Sequence, residues 1–120
     1  MRRVLIVDDS IMARNSLKEI LLSAGYEVVG EAVNGEDGVS QYESLRPDVV
    51  SLDITMPKLN GIECLKRIVA MDEEARVIMI SALGQGAKIL EALNNGARHY
   101  VTKPFEADKV LEAFDEVLDS

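Results

Sequence analysis

The sequence predicts an α/β fold: a doubly wound parallel sheet of five strands, built as five βα units with helices on both faces. Three observations carry that reading. Apolar runs that do not alternate with polar residues, such as Val4–Val7, Val49–Leu52 and Val77–Ile80, suit strands buried on both faces. Between the runs, apolar residues recur at helical spacing, and alternating strands and helices imply parallel strands joined by right-handed crossovers. The strand segments also end on polar residues, Asp8-Asp9, Asp53, Ser81 and Lys103, which a parallel sheet gathers along one edge.

The first run, Val4–Val7, stops at Asp8-Asp9-Ser10. Ala13, Leu17, Ile20, Leu21 and Ala24 then mark a helix, with Asp9 or Ser10 as its N-cap and Gly25 as its stop. Val28-Val29 belongs to a weaker second strand near an edge of the sheet. Asn34-Gly35 opens a helix with Val39, Tyr42 and Leu45 on one face. Gly38 inside it costs about 1 kcal/mol of helix propensity and marks close packing. The third strand, Val49–Leu52, ends on Asp53, and Pro57 places the chain in a loop by then. Asn60 caps a helix carrying Ile62, Leu65, Ile68 and Val69. Val77–Ile80 is the fourth strand and ends on Ser81; a helix around Ile89, Leu90 and Leu93 stops at Gly96. Tyr100–Thr102 is a short fifth strand running into Lys103-Pro104, and Val110, Leu111, Phe114, Val117 and Leu118 line a last amphipathic helix.

With 120 residues, 48% apolar and 28% charged, residues 1–120 read as a single globular domain with no linker or low-complexity tract. No apolar run approaches the roughly 20 residues of a membrane span, and the run after Met-Arg-Arg is too short for a secretory signal. The single cysteine, Cys64, cannot form an internal disulfide and belongs to no Cys/His metal pattern; it reads as a small buried hydrophobe. A cytoplasmic location is expected. A net charge of −8 argues against nucleic-acid binding, which depends on clustered Lys and Arg. No exposed apolar stripe stands out in this acidic sequence, and a monomer is expected.

The polar residues at the strand ends form a chemical set. Asp8, Asp9 and Asp53 would repel one another at neutral pH without a cation. Ligands that are all oxygen suit Mg2+, which takes one or two carboxylates together with waters and a phosphate. An aspartate carboxylate can act as nucleophile toward a phosphoryl group. Lys103 could then pair with the phosphoryl oxygens, and the Ser81 hydroxyl could hydrogen-bond another.

Val-Asp-Asp-Ser at 7–10, Asp-Ile-Thr-Met-Pro at 53–57, Ser-Ala at 81–82 and Lys-Pro-Phe at 103–105 resemble the receiver domain of two-component response regulators. The resemblance keeps the family's order and spacing over nearly the whole chain. It implies the flavodoxin-like strand order 2-1-3-4-5. It also implies a switch in which Asp53 accepts a phosphoryl group from a phosphohistidine on a sensor histidine kinase. Asp8, Asp9, Asp53 and the backbone carbonyl of Thr55 would hold Mg2+, and Lys103 would contact the phosphoryl group. Ser81 and Tyr100 match the family's switch pair, which alters the face formed by the fourth helix, fifth strand and fifth helix. Lys103-Pro104 is a cis peptide in the family, a form only X-Pro bonds adopt cheaply. Such a protein is not an enzyme acting on an external substrate; it catalyses only its own phosphorylation and dephosphorylation. The residues two beyond the acceptor and two beyond the switch hydroxyl, Thr55 and Leu83, offer no acid or amide to orient water, so self-dephosphorylation is expected to be moderate to slow.

No output domain is expected after the fifth helix, so a signal would leave by protein contact. Asp-Ile-Thr-Met-Pro together with Ser-Ala-Leu-Gly-Gln at 81–85 look most like chemotaxis regulators, whose partner is the flagellar switch; a phosphatase is a further partner of that kind. A phosphorelay receiver, a receiver excised from a longer regulator and a binding module that is never phosphorylated are the alternatives. Blander readings exist for the residues too: Asp8 and Asp9 as helix caps, Ser81 as N-cap of the fourth helix, Lys103 as a surface lysine, Tyr100 as edge packing. His99 is read as exposed, Asp72-Glu73-Glu74 as a solvated turn, and Met12, Met56 and Met71 as gap fillers or loop anchors. An FMN carrier is disfavoured because Asp8-Asp9 would repel a phosphate after the first strand. An aspartyl-phosphate enzyme for small molecules would need a substrate pocket, and usually a cap domain, for which the chain has no spare residues.

Overall fold

The computed structural model describes residues 2–119. Its elements run β1 (Arg3–Val7), α1 (Ile11–Ser23), β2 (Glu27–Ala32), α2 (Gly35–Leu45), β3 (Val49–Asp53), α3 (Gly61–Met71), β4 (Val77–Ser81), α4 (Gly86–Asn94), β5 (His99–Thr102) and α5 (Ala107–Asp119). The strands form one parallel sheet in the order β2-β1-β3-β4-β5, as expected.

Successive strand side chains point to opposite faces, and this divides the apolar interior in two. Leu5, Val7, Val50, Leu52, Val77 and Met79 join a core with α2 and α3 residues such as Tyr42, Leu65 and Ile68. Val4, Ile6, Val49, Ile78 and Ile80 join the other, with Leu17 and Leu21 of α1 and Val110, Phe114 and Val117 of α5. Every residue of β3 and β4 is buried, which is why these strands read as unbroken apolar runs. β2, at the edge, is only partly covered and extends further than Val28-Val29, with an irregularity in its pairing where Val4 gives way to Leu5.

The helix starts follow the side chains at their caps. Ser10, rather than Asp9, accepts from the Ala13 N–H, Asn34 from Asp37 and Asn60 from Glu63. Gly25 and Gly96 end α1 and α4 in left-handed conformations that only glycine adopts freely. Gly38 packs its bare backbone against the Val7 side chain and the Cys64 sulfur, and Cys64 is buried.

Some expectations need correction. α4 buries only Ala92, while Leu90 and Leu93 are 60% and 38% exposed, because the helix meets the body through its small residue and Ile89. Ser81 caps no helix: β4 continues through it, and Gln85 stands at the start of α4 without a side-chain cap bond. Met12 fills no gap and is 80% exposed, whereas Met56 is buried. His99 is only partly exposed and finds Glu116 on α5 at 2.9 Å. Among the described residues, no helix is long and apolar enough to cross a membrane.

The turn after β3 is fixed by backbone contact. The Gly61 N–H bonds the Ile54 carbonyl at 2.8 Å, and a Cβ at Gly61 would collide with the Asp53 carbonyl. Gly61→Ala is expected to destabilise the fold by about 2–4 kcal/mol in denaturant unfolding, since neither backbone segment can yield without disturbing β3.

Candidate functional site

Three strands deliver the acids and the lysine to one edge of the sheet. Asp8 follows β1, and its Oδ1 accepts from the Ser10 N–H at 2.9 Å, so the turn that opens α1 also holds the carboxylate. Arg14, one turn into α1, donates to the Asp8 backbone carbonyl and pairs with Glu31, pinning this turn to β2. Asp53 is the last residue of β3 and is buried, with Oδ1 accepting a long hydrogen bond from the Thr55 N–H at 3.4 Å. Lys103 follows β5, anchored by its own N–H to the Ser81 carbonyl at 2.8 Å, and the peptide to Pro104 is cis.

The Lys103 ammonium lies 2.9 Å from Asp8 Oδ2 and 3.3 Å from Asp53 Oδ2. It joins the ends of β1 and β3 to the end of its own strand, β5. Asp8, Asp9 and Asp53 each offer a carboxylate oxygen, and these oxygens lie within 4.8 Å of one another. Asp9 is exposed and the other two are buried, so the cluster is held from below and open to solvent on one side.

Burial, followed by the negative charge of Asp8, pushes the Asp53 carboxyl up to about 6, although Lys103 and the Thr55 N–H pull the other way. For Lys103, burial alone would lower the pKa. The hydrogen bond to Asp8 and the two carboxylate charges outweigh it and hold the ammonium above its ordinary value. Three carboxylates facing one ammonium leave excess negative charge, and an all-oxygen donor set with one open side fits a hard divalent cation such as Mg2+.

The remaining predicted residues lie on β4, on β5 and in the loop after β3. Ser81 ends β4 fully buried, and its hydroxyl has no hydrogen-bond partner among the described residues. Tyr100 lies on β5 with its side chain 43% exposed, away from the core. Thr55 is exposed, and its hydroxyl accepts from Gln85 at 2.9 Å. Gln85 carried no role in the sequence reading, because its partners lie in two loops that only the folded chain brings together; its one signal was a place in the run Ser-Ala-Leu-Gly-Gln.

Residues 4–115 match the response regulator receiver domain, and the chain belongs to that family of two-component signalling proteins. Within it, the chain is most like chemotaxis proteins. It is 48% identical to the chemotaxis protein CheY of Thermotoga maritima over 97% of each chain. It is 47% identical to CheY of Bacillus subtilis over 98% of each. Among solved structures, a chain of the CheX–CheY–BeF3–Mg2+ complex from Borrelia burgdorferi superposes with a TM-score of 0.93 at 42% identity, covering 97% of this chain and 88% of that one. The response regulator domain of Thermotoga maritima CheB gives 0.92 at 40% identity, covering 100% and 98%.

The raised Asp53 carboxyl makes stability depend on pH in a defined direction. Its folded pKa of about 6 exceeds the unfolded value near 3.8, so the folded state holds the proton more tightly. The contribution is favourable at low pH and is lost as pH rises from about 4 to about 6. In the presence of a chelator at neutral pH, Asp53→Asn is therefore expected to be about 1–3 kcal/mol more stable than wild type. Thermal melts across this range should show the difference closing below about pH 4.

Proposed function

We propose that this chain is a phosphorylation-dependent switch in which Asp53 accepts the phosphoryl group. The observation that carries the reading is the Lys103 ammonium bridging Asp8 and Asp53, on a strand end whose neighbour β4 ends in a Ser81 hydroxyl that is buried and has no hydrogen-bond partner among the described residues. An Asp53 carboxylate oxygen attacks the phosphorus of a phosphohistidine on a sensor histidine kinase. The P–N bond breaks, its electron pair stays on the imidazole nitrogen, and an acyl phosphate remains on Asp53. Asp8, Asp9, Asp53 and the backbone carbonyl of Thr55 are the proposed Mg2+ ligands. Bound there, Mg2+ would neutralise the charge that gathers on the phosphoryl oxygens.

Lys103 is already placed to follow that charge. It sits between two carboxylates and can turn to a phosphoryl oxygen without leaving the cluster. Ser81 supplies a second donor, a hydroxyl that gives up no existing bond among the described residues. The pull on Ser81 acts at the β4–β5 pair, where Ser81 stands opposite Thr102 and Met79 opposite Tyr100. The outward Tyr100 ring would turn inward and alter the face of α4, β5 and α5, a local charge change biasing a two-state element. That face carries exposed Leu90, Leu93 and Tyr100, a surface suited to a protein target.

The likeness to CheY proteins supports a chemotaxis role, with the flagellar switch as target and a phosphatase to reset the site. The protein is proposed to work in the cytoplasm, as a monomer, with residues 1–120 forming one receiver domain that acts by contact. Thr55 and Leu83, neither an acid nor an amide, favour moderate to slow self-dephosphorylation.

Intact mass after incubation with acetyl phosphate tests the reading. Wild type with Mg2+ should gain one phosphoryl adduct, and Asp53→Asn or a chelator should abolish it. No adduct on wild type, under conditions where another receiver reacts, would leave a binding module that is never phosphorylated.

A further inference from the structure

Gln85 spends both ends of its side chain between loops rather than on the helix it begins. Its Oε1 accepts from the Ala82 N–H at 2.7 Å, and its Nε2 donates to the Thr55 hydroxyl at 2.9 Å. The assignment is forced, since a backbone N–H can only donate, which leaves the amide NH2 for Thr55. The contact spans 30 residues of sequence and ties the loop after β3 to the loop after β4. At the N-cap position of α4 a short polar side chain would normally cap the helix, yet Gln85 makes no cap bond. The Leu83-Gly84 turn before it is exposed, with Gly84 in a left-handed conformation, and α4 behind it buries only Ala92.

We propose that Gln85 is a latch that holds the site in its resting state and opens when Asp53 carries a phosphoryl group. The inference rests on the phosphoryl-acceptor reading of Asp53. The two donors at the end of β4 are the Ser81 hydroxyl and the Ala82 N–H. The hydroxyl has no partner to give up among the described residues, whereas the N–H is held by Gln85. A phosphoryl group brings three acceptor oxygens and draws on both donors. Serving it with the Ala82 N–H breaks the bond to Gln85 Oε1, which frees the start of α4 and loosens the tie to Thr55. Occupancy of the acid site and the position of α4 are thereby coupled through one side chain, and the coupling acts equally in both directions. Gln85 is a positioning residue: it touches neither the carboxylates nor Lys103 in the resting structure.

The experiment titrates beryllofluoride with Mg2+ into wild type, Gln85→Ala and Thr55→Val, and follows the Ala82 amide by NMR hydrogen exchange. Removing the latch releases a donor that wild type must first free. Gln85→Ala should therefore bind beryllofluoride about two- to tenfold more tightly, the value of one net hydrogen bond. Its Ala82 amide should exchange faster than wild type in the free protein and become protected on binding. Thr55→Val, which keeps the bond to Ala82, should show a smaller gain. Equal or weaker binding by a folded Gln85→Ala, or an Ala82 amide indifferent to the substitution, overturns the latch. Wild type that takes no beryllofluoride overturns the phosphoryl-acceptor reading and the latch with it.

Discussion

The structure depends on the ion pairs that Lys103 makes with Asp8 and Asp53. Each of these residues stands where a different strand runs out, and the parallel sheet carries all three to the same edge. Buried carboxylates so close together would be unfavourable alone, and the ammonium offsets part of that repulsion. The offset is incomplete. Asp53 is still held well above its ordinary pKa, so the site keeps an electrostatic demand that a divalent cation can meet.

Rigid and loose parts are arranged around that demand. β3 and β4 are buried throughout, and the start of α3 is locked to the Ile54 carbonyl, so the Asp53 carboxylate is held without slack. Asp8 is fixed by the Ser10 N–H in front and by Arg14 on its carbonyl behind. α4 differs in kind. It starts without a side-chain cap, follows an exposed turn through Gly84 and buries one alanine. With so little apolar burial, α4 is held to the body less firmly than β3 and β4 are held in the sheet.

The polar second layer gives the same division. Around β1 and β2, Arg14 and Lys18 close on Glu31, whose carboxyl is held below its usual range chiefly by the hydrogen bond from Lys18. Toward β5, His99 reaches Glu116 across to α5, and Tyr100 next to it projects outward. The first group braces Asp8, and the second ties β5 to α5.

The sequence by itself determined the five βα units, the caps at Asn34 and Asn60, and the residues collected at the strand ends. These are local: a buried strand must be apolar along its length, a cap bonds a neighbour three residues on, and a parallel sheet puts every strand's C-terminal end on one edge. Tertiary structure decided what depends on neighbours distant in sequence. Leu90 and Leu93 fit a helical pattern yet stay exposed, because α4 meets the sheet through Ala92. His99 gained Glu116, and Gln85 gained Thr55 and Ala82, only once separate elements had docked. Periodicity records which face of an element is apolar. Which part of that face is covered, and which polar side chains meet across loops, is fixed by packing geometry, and that is set by the whole chain together.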